Sequence, residues 1–301
     1  MRPCVDEEPD EETGVKHSAG KELLGGLAVL AASMLAFTPP ALTQAPAEAS
    51  AADGPPRFPM RMEPDPRVEQ RSYRFVDTDE ELGYTVFVSS KVRSETPAPL
   101  IVALHGYGGD SNFIVRGRLV DLAEEHGYIV VGPMGYNATG WYGSPVIVMG
   151  GGPVDPPNLP ELSEKDVMNV LAMARSEFNV DPDRTYLMGH SMGGAGALFL
   201  GQKYADQWAA IAAIAPAAFL MQPNQKDILA PIKAAGLPVM ITQGDEDPIV
   251  PATGTRTWAA AMDALGVTHE YIEMPGRDHG NIIEDGMPEI FRFFEAHRRG
   301  H

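Results

Sequence analysis

The stretch Thr185-Tyr186-Leu187-Met188-Gly189-His190-Ser191-Met192-Gly193-Gly194 decides how this chain is read. A short apolar run leads into Gly-His-Ser-Met-Gly, and a small-residue helical pattern follows from Ala195. Gly-x-Ser-x-Gly between a strand and a helix is a sharp turn that presents a serine hydroxyl at the end of a sheet. The residues two before and two after the serine must leave room for the backbone, which glycine does. The helix behind the turn aims unpaired N–H groups and the positive end of its dipole at the same point. An ordinary Gly-rich strand-to-helix turn would share the glycines. The apolar run before and the helical pattern after set this one apart.

Outward from that stretch, strands and helices alternate. Arg71–Val76 and Tyr84–Val88 read as strands joined by the acidic turn Asp77–Gly83. Leu100–Leu104, Tyr128–Gly132, Arg184–Met188, Trp208–Ala215 and Leu237–Thr242 are apolar runs of the kind found in strands covered on both faces. Thr268–Glu273 alternates and completes eight strands. Helices are predicted over Ser111–His126, from Ser163 to Phe178, over Ala195–Tyr204, Ala252–Leu265 and Glu284–Arg298. This order implies an α/β fold with a mostly parallel eight-stranded sheet and helices on both faces. Gly135–Pro160 lacks periodicity and reads as one long loop; no large cap domain is inserted. Ligands of such sheets sit at the carboxyl ends of the strands.

A serine hydroxyl is a weak nucleophile at neutral pH and needs a base, which in turn needs an orienting acid. The acid is expected after Leu237–Thr242, where Gln243-Gly244-Asp245-Glu246-Asp247-Pro248 offers three carboxylates. The residues alone leave Asp245, Glu246 and Asp247 open, and Asp245 could equally hold the turn through backbone N–H groups. The base is expected after the last strand, in Arg277-Asp278-His279-Gly280, which selects His279. Of the other histidines, His17 lies near the N-terminus, His126 at a helix end, His269 inside a strand, and His297 and His301 in the tail. His190 flanks the serine and is expected to point away from the attacked atom. His105 is expected to hold its Gly-rich loop by hydrogen bonds.

Three phrases together resemble the α/β-hydrolase superfamily: Leu104-His105-Gly106-Tyr107-Gly108-Gly109, Asn179-Val180-Asp181-Pro182-Asp183-Arg184, and Gly189-His190-Ser191-Met192-Gly193-Gly194. The resemblance runs from about Tyr73 to the C-terminus and is strongest to secreted bacterial esterases of the polyhydroxybutyrate-depolymerase and feruloyl-esterase type. It implies an α/β-hydrolase fold and a catalytic order of Ser191, Asp247, His279, because Asp247 falls on the family's Gly-x-x-Asp-x-x-Val pattern. It also implies an oxyanion hole made by the N–H groups of Tyr107, on the His-Gly-x motif, and Met192. The implied activity is hydrolysis of small or polymeric carboxylic esters through an acyl-serine. A serine peptidase of the same fold and a non-catalytic binding module are the alternatives. Asn137, Trp141 and Tyr142 on the long loop are expected to line a substrate pocket.

Composition excludes other classes. A formal charge of −18 argues against nucleic-acid binding, which needs a basic surface. No His/Cys cluster has metal-ligand spacing, and no Gly-rich run carries the Gly-Lys-Ser/Thr of a phosphate loop, so no cofactor is expected. Leu23–Phe37 is apolar over 15 residues, preceded by Lys16 and Lys21 and followed by Ala45-Pro46-Ala47 and Ala47-Glu48-Ala49. It is shorter than the ~20 residues of a spanning helix. Residues 1–47 are therefore expected to be a leader with a secretory signal, cleaved within Ala45–Ala52, which gives a secreted or periplasmic protein without stable membrane insertion. An uncleaved anchor is the rival expectation. The six acids of residues 1–12 do not suit a signal's basic start; initiation at Val15 would remove them. Residues 48–67 form a Pro/Ala-rich linker and 68–301 the catalytic domain. The sole cysteine, Cys4, lies upstream of the apolar segment, so no disulfide is expected after cleavage.

Overall fold

The computed structural model describes Met62–Arg299. The expected signal segment, its cleavage region and most of the linker lie outside the described residues. Within them, eight strands form one sheet in the order β1-β2-β4-β3-β5-β6-β7-β8. The strands are β1 Glu69–Phe75, β2 Glu80–Val88, β3 Ala98–Leu104, β4 Ile129–Pro133, β5 Val180–His190, β6 Ala210–Ile214, β7 Val239–Gly244 and β8 His269–Met274. Pairings β1/β2 and β2/β4 are antiparallel and the others parallel. The mostly parallel α/β sheet expected from the strand–helix alternation is therefore present, with no large inserted cap.

Parallel strands carry helices on both faces, so the side chains of one strand must feed two cores. In β3, Leu100, Val102 and Leu104 enter one core and Ile101 and Ala103 the other. The first core receives α2 (Leu159–Glu177), α3 (Met192–Lys203), α4 (Gln225–Ala235) and α5 (Ala252–Leu265). The second receives α1 (Gly117–His126) and α6 (Asn281–Ala296), including Phe291, Phe293 and Phe294. The connections out of β3 and β4 take the chain to opposite sides of β3, so a crevice opens between the carboxyl ends of β3 and β5.

Helices α3 and α6 each start three residues before the predicted residue, and three larger departures have identifiable causes. α1 starts at Gly117 rather than Ser111, because Gly117 is left-handed (φ 51°) and the preceding residues run as turns. Its first turn is met by Glu284 of α6, whose carboxylate accepts the Arg118 N–H at 3.0 Å. α2 starts earlier, at Leu159, because Pro160 sits in the first turn, where a missing N–H costs nothing. α4 has no counterpart in the sequence reading; Pro231 lies inside it and interrupts the helical signal.

The elbow is held by close backbone contact. A Cβ on Gly193 would lie 2.3 Å from the Leu104 carbonyl oxygen and 2.7 Å from that of His105, and one on Gly189 would lie 2.2 Å from the Gly193 oxygen. Backbone atoms on a central strand cannot yield. Gly193→Ala is therefore expected to lower the unfolding free energy by about 3 kcal/mol or more. Urea unfolding checks this, and a variant within about 1 kcal/mol of the parent would refute the packing account.

Candidate active site

Ser191 follows β5 directly and sits at φ 56°, ψ −113°, a conformation that L-residues with side chains rarely adopt. Its N–H donates to the Ile214 carbonyl at 2.8 Å, and its carbonyl accepts from Ala195 and Ala217. Such strain costs about 1–3 kcal/mol and persists only where the surroundings over-determine it. Met192 opens α3 beside it and is fully buried.

Asp247 follows β7 and His279 follows β8. His279 Nδ1 lies 2.7 Å from Asp247 Oδ2. A carboxylate only accepts, so Nδ1 carries the hydrogen of this contact. The Asp247 side chain is fully buried. Its Oδ1 accepts the N–H groups of Ile249 and Val250, both at 2.8 Å, and its Oδ2 also accepts Gln243 Nε2 at 3.3 Å. Asp245 and Glu246 are exposed, and Asp245 accepts the Gly276 N–H at 2.6 Å. A Cβ on Gly244 would meet the Arg277 carbonyl oxygen at 2.1 Å, so this glycine lets the His279 loop lie down on the end of β7. The rings of His279 and His190 are 4.5 Å apart, which places the imidazole of residue 279 against the residue that precedes Ser191.

The loop after β3 carries His105, Gly106 and Tyr107. The His105 ring nitrogens lie 2.8 Å from the carbonyl oxygens of Gly106 and Met134. The neutral ring, with one N–H, donates to one of them while packing between this loop and the one after β4. Burial lowers the pKa of His105. Tyr107 is half-buried, its ring 6.3 Å from that of Trp141.

The long loop departs from the sequence expectation. Trp141 and Tyr142, expected to line a pocket, are 3% and 0% exposed. Both are left-handed, at φ 60° and 52°. The Tyr142 hydroxyl donates to the His105 carbonyl at 3.1 Å, so the ring stands under the loop that carries Tyr107. Asn137 is half-buried and turns its Oδ1 back to the N–H and hydroxyl of Thr139. Two clefts border the loops at this end of the sheet. One of about 160 Å³ is lined by Tyr107, Thr139, Val146, Ile147, Val148 and Leu159. Another of about 280 Å³ is lined by Phe219, Gln222, Pro251, Thr253 and Gly254. A larger cavity of about 770 Å³, walled by Trp208, Leu237, Pro238 and His297, lies at the opposite, amino ends of β6 and β7 and does not border these residues.

Gln243, Asp166, Ser163 and His190 have supporting roles not assigned from the sequence, where His190 is expected only to point away from the attacked atom. Gln243 bridges Asp247 and the Val250 carbonyl. Asp166 accepts the N–H groups of Gly135 and Tyr136 and the hydroxyl of Tyr73. Ser163 accepts the Tyr142 N–H. His190 donates through Nε2 to the His279 carbonyl. The available signal was polarity on an apolar stripe: Ser163 and Asp166 share the helix face of Val167 and Val170. Among the described residues no group of His, Cys, Asp and Glu could hold a metal ion, and no helix is long and apolar enough to cross a membrane.

Burial lowers the His190 pKa from 6.5 to about 3, with the neighbouring His279 adding to the effect. In the unfolded chain this imidazole gains a proton below about 6.5, while in the fold it stays neutral. The unfolded state thus binds one more proton in that window, and stability falls as pH falls, by about 1.4 kcal/mol per pH unit from this group. Unfolding curves between about pH 4 and 7 are expected to show a pH slope shallower by one proton in His190→Gln. Parallel slopes would refute the buried neutral ring.

The Esterase family model matches residues 78–276. Feruloyl esterase B of Neurospora crassa is 31% identical over 122 residues, 39% of this chain and 39% of that protein. Acyl-protein thioesterase 1 of Gibberella zeae is 29% identical over 134 residues, 44% of this chain and 56% of that protein. The chain thus spans about half, or less, of the length of these relatives. Among solved structures, a thermostable esterase superposes with a TM-score of 0.60 at 23% identity, covering 77% of this chain and 64% of its own. A ferulic acid esterase from Anaeromyces mucronatus, solved with ferulic acid, superposes with a TM-score of 0.58 at 18% identity, covering 77% and 92%. These structures share the fold. The match over residues 78–276, on an eight-stranded sheet with its serine turn at the end of β5, makes this chain a member of the esterase family within the α/β-hydrolase superfamily.

Proposed function

We propose that this protein hydrolyses carboxylic esters through an acyl-enzyme on Ser191, with His279 as general base and Asp247 as its orienting acid. The observation that carries the reading is the 2.7 Å contact between His279 Nδ1 and a fully buried Asp247 carboxylate, beside a serine in a strained turn. With its hydrogen on Nδ1, the imidazole presents the Nε2 lone pair to the serine hydroxyl. The hydroxyl oxygen attacks the ester carbonyl as its proton passes to Nε2. The tetrahedral oxyanion accepts hydrogen bonds from the backbone N–H groups of Met192 and Tyr107. Collapse expels the alcohol, which takes the proton from His279. Water then repeats the sequence and frees the acid. Each oxyanion donor is worth about 100–1,000-fold in turnover.

The substrate is an ester of a short or aromatic acid borne on a larger molecule. Support comes from exposed apolar side chains near the triad: Phe219, which lines the cleft with Gln222 and Pro251, is 41% exposed, and Ile249 is 57% exposed. Phe219 lies two residues after Ala217, whose N–H bonds the Ser191 carbonyl, and Ile249 donates its own N–H to the Asp247 carboxylate. The feruloyl and ferulic acid esterases among the similar proteins agree with an aromatic acyl group. The enzyme acts outside the cytoplasm, delivered by the apolar segment Leu23–Phe37.

Ser191→Ala is expected to lower kcat on p-nitrophenyl acetate by at least ~10⁴-fold and to abolish labelling by a fluorophosphonate. Unchanged turnover defeats the reading, and a preference for peptide over ester panels turns it to a peptidase. Phe219→Ala and Ile249→Ala are each expected to raise KM for methyl ferulate by about 5–10-fold while leaving p-nitrophenyl acetate nearly unaffected. Equal effects on both substrates would place the aromatic group elsewhere. N-terminal sequencing of the mature protein, expected to begin within Ala45–Ala52, tests export.

A further inference from the structure

We propose that His190, the residue before the nucleophile, is a positioning residue that sets the place of His279 by holding its backbone carbonyl; the inference rests on the triad assigned above. His190 Nε2 lies 2.8 Å from the His279 carbonyl oxygen. A carbonyl only accepts, so Nε2 carries a hydrogen and donates it. Nδ1 is buried without a partner, which fits a bare lone pair on a neutral ring. The ring cannot swing to another partner. The Phe113 ring stacks on it at 5.8 Å and 18°. Gly106 closes the remaining side, where a Cβ would lie 3.0 Å from Nδ1.

His190 is also fixed at its own backbone, because it pairs with Ile214 of β6 at the end of β5. His279 is therefore held from two ends. Asp247 takes its Nδ1–H, which sets the rotation of the ring. His190 takes its carbonyl, which sets the height of the loop above the sheet. Because His190 and Ser191 are consecutive, the distance from nucleophile to base is gauged from the elbow itself. Placing a reacting group about 1 Å off costs about 100-fold in rate. The same imidazole packs against Gly106, next to Tyr107, so one ring touches the elbow, the base loop and the loop after β3. A donor on a stiff ring meets this need; a hydrocarbon ring of similar size fills the space and leaves the carbonyl of residue 279 unpaired.

The test uses the full chain and p-nitrophenyl acetate. His190→Phe keeps an aromatic ring against Phe113 and removes the donor; His190→Gln restores an N–H at similar reach. In His190→Phe, kcat is expected to fall about 30–100-fold with KM within about twofold. His190→Gln is expected to recover kcat to within about fivefold of the parent. The rate of fluorophosphonate labelling should follow kcat. A His190→Phe enzyme with kcat within twofold of the parent overturns the inference, as does a loss that His190→Gln fails to recover. Nitrogen-15 spectra of the histidine-labelled parent give a reading that needs no variant to fold: His190 should carry its proton on Nε2 and none on Nδ1 between about pH 5 and 8. A proton on Nδ1 overturns the inference. Activity that survives Ser191→Ala defeats the triad instead, and that result is distinct from either histidine variant.

Discussion

The close approach of Gly193 to the carbonyls of Leu104 and His105, which leaves no room for a Cβ, is the constraint on which the site depends. It forces the first turn of α3 down onto the sheet. The chain can then leave β5 only by reversing at Ser191, and the positive φ follows. Reversal lifts the serine side chain and points the start of α3 at the crevice beside β3. The loops after β3, β7 and β8 end on the same edge, since all are parallel to β5. Convergence of residues from 105 to 279 is thus a property of the sheet, and the elbow supplies its centre.

Two buried carboxylates show how the framework handles charge. Asp247 accepts two backbone N–H groups, a Gln243 amide hydrogen and the imidazole of His279. Asp166 accepts two backbone N–H groups and a tyrosine hydroxyl, with no cationic partner in this set. Burial raises the pKa of Asp166, and its hydrogen bonds oppose the rise without cancelling it. Both groups fix loops by gathering N–H donors that would otherwise be buried unpaired. They differ in what the remaining oxygen meets: a phenol anchors the loop after β4, whereas an imidazole can move a proton.

The parts that the sequence made legible are those governed by short-range rules. Apolar runs gave the strands, because a strand covered on both faces has no polar positions to mislead. Gly127 and Gly266 marked the ends of α1 and α5, and both are left-handed as the termination rule requires. His279 stands where the order of strands put it, against Asp247, which the family pattern rather than the strand order singled out from Asp245 and Glu246. What escaped were features decided across the chain. Pro231 hid α4, whose stability comes from packing Leu229 and Ile232 against the core rather than from local propensity. Tyr142 read as a loop aromatic facing a substrate; its inward turn depends on Ser163 and His105, 21 and 37 residues away. Asp166 read as a helix residue because nothing nearby in sequence announces the loop N–H groups it gathers.

Backbone strain is distributed to match. Besides Ser191, the non-glycine residues with positive φ include Tyr136, Trp141 and Tyr142, all on the loop that supports the end of β3. Each strained residue is fixed by a bond from outside its own loop or by burial: Tyr136 by Asp166, Tyr142 by Ser163, and Trp141 by near-complete burial against Tyr107. A loop free to relax would shed such conformations at a gain of about 1–3 kcal/mol each. Retaining them keeps Tyr142 upright beneath His105, and His105 in turn spans Gly106 and Met134. The backbone from His105 to Tyr107 therefore meets a rigid support on the face turned away from the crevice. Groups that face a reacting atom from such a support do not have to reorganise as charge develops, which is where fixed dipoles outperform water.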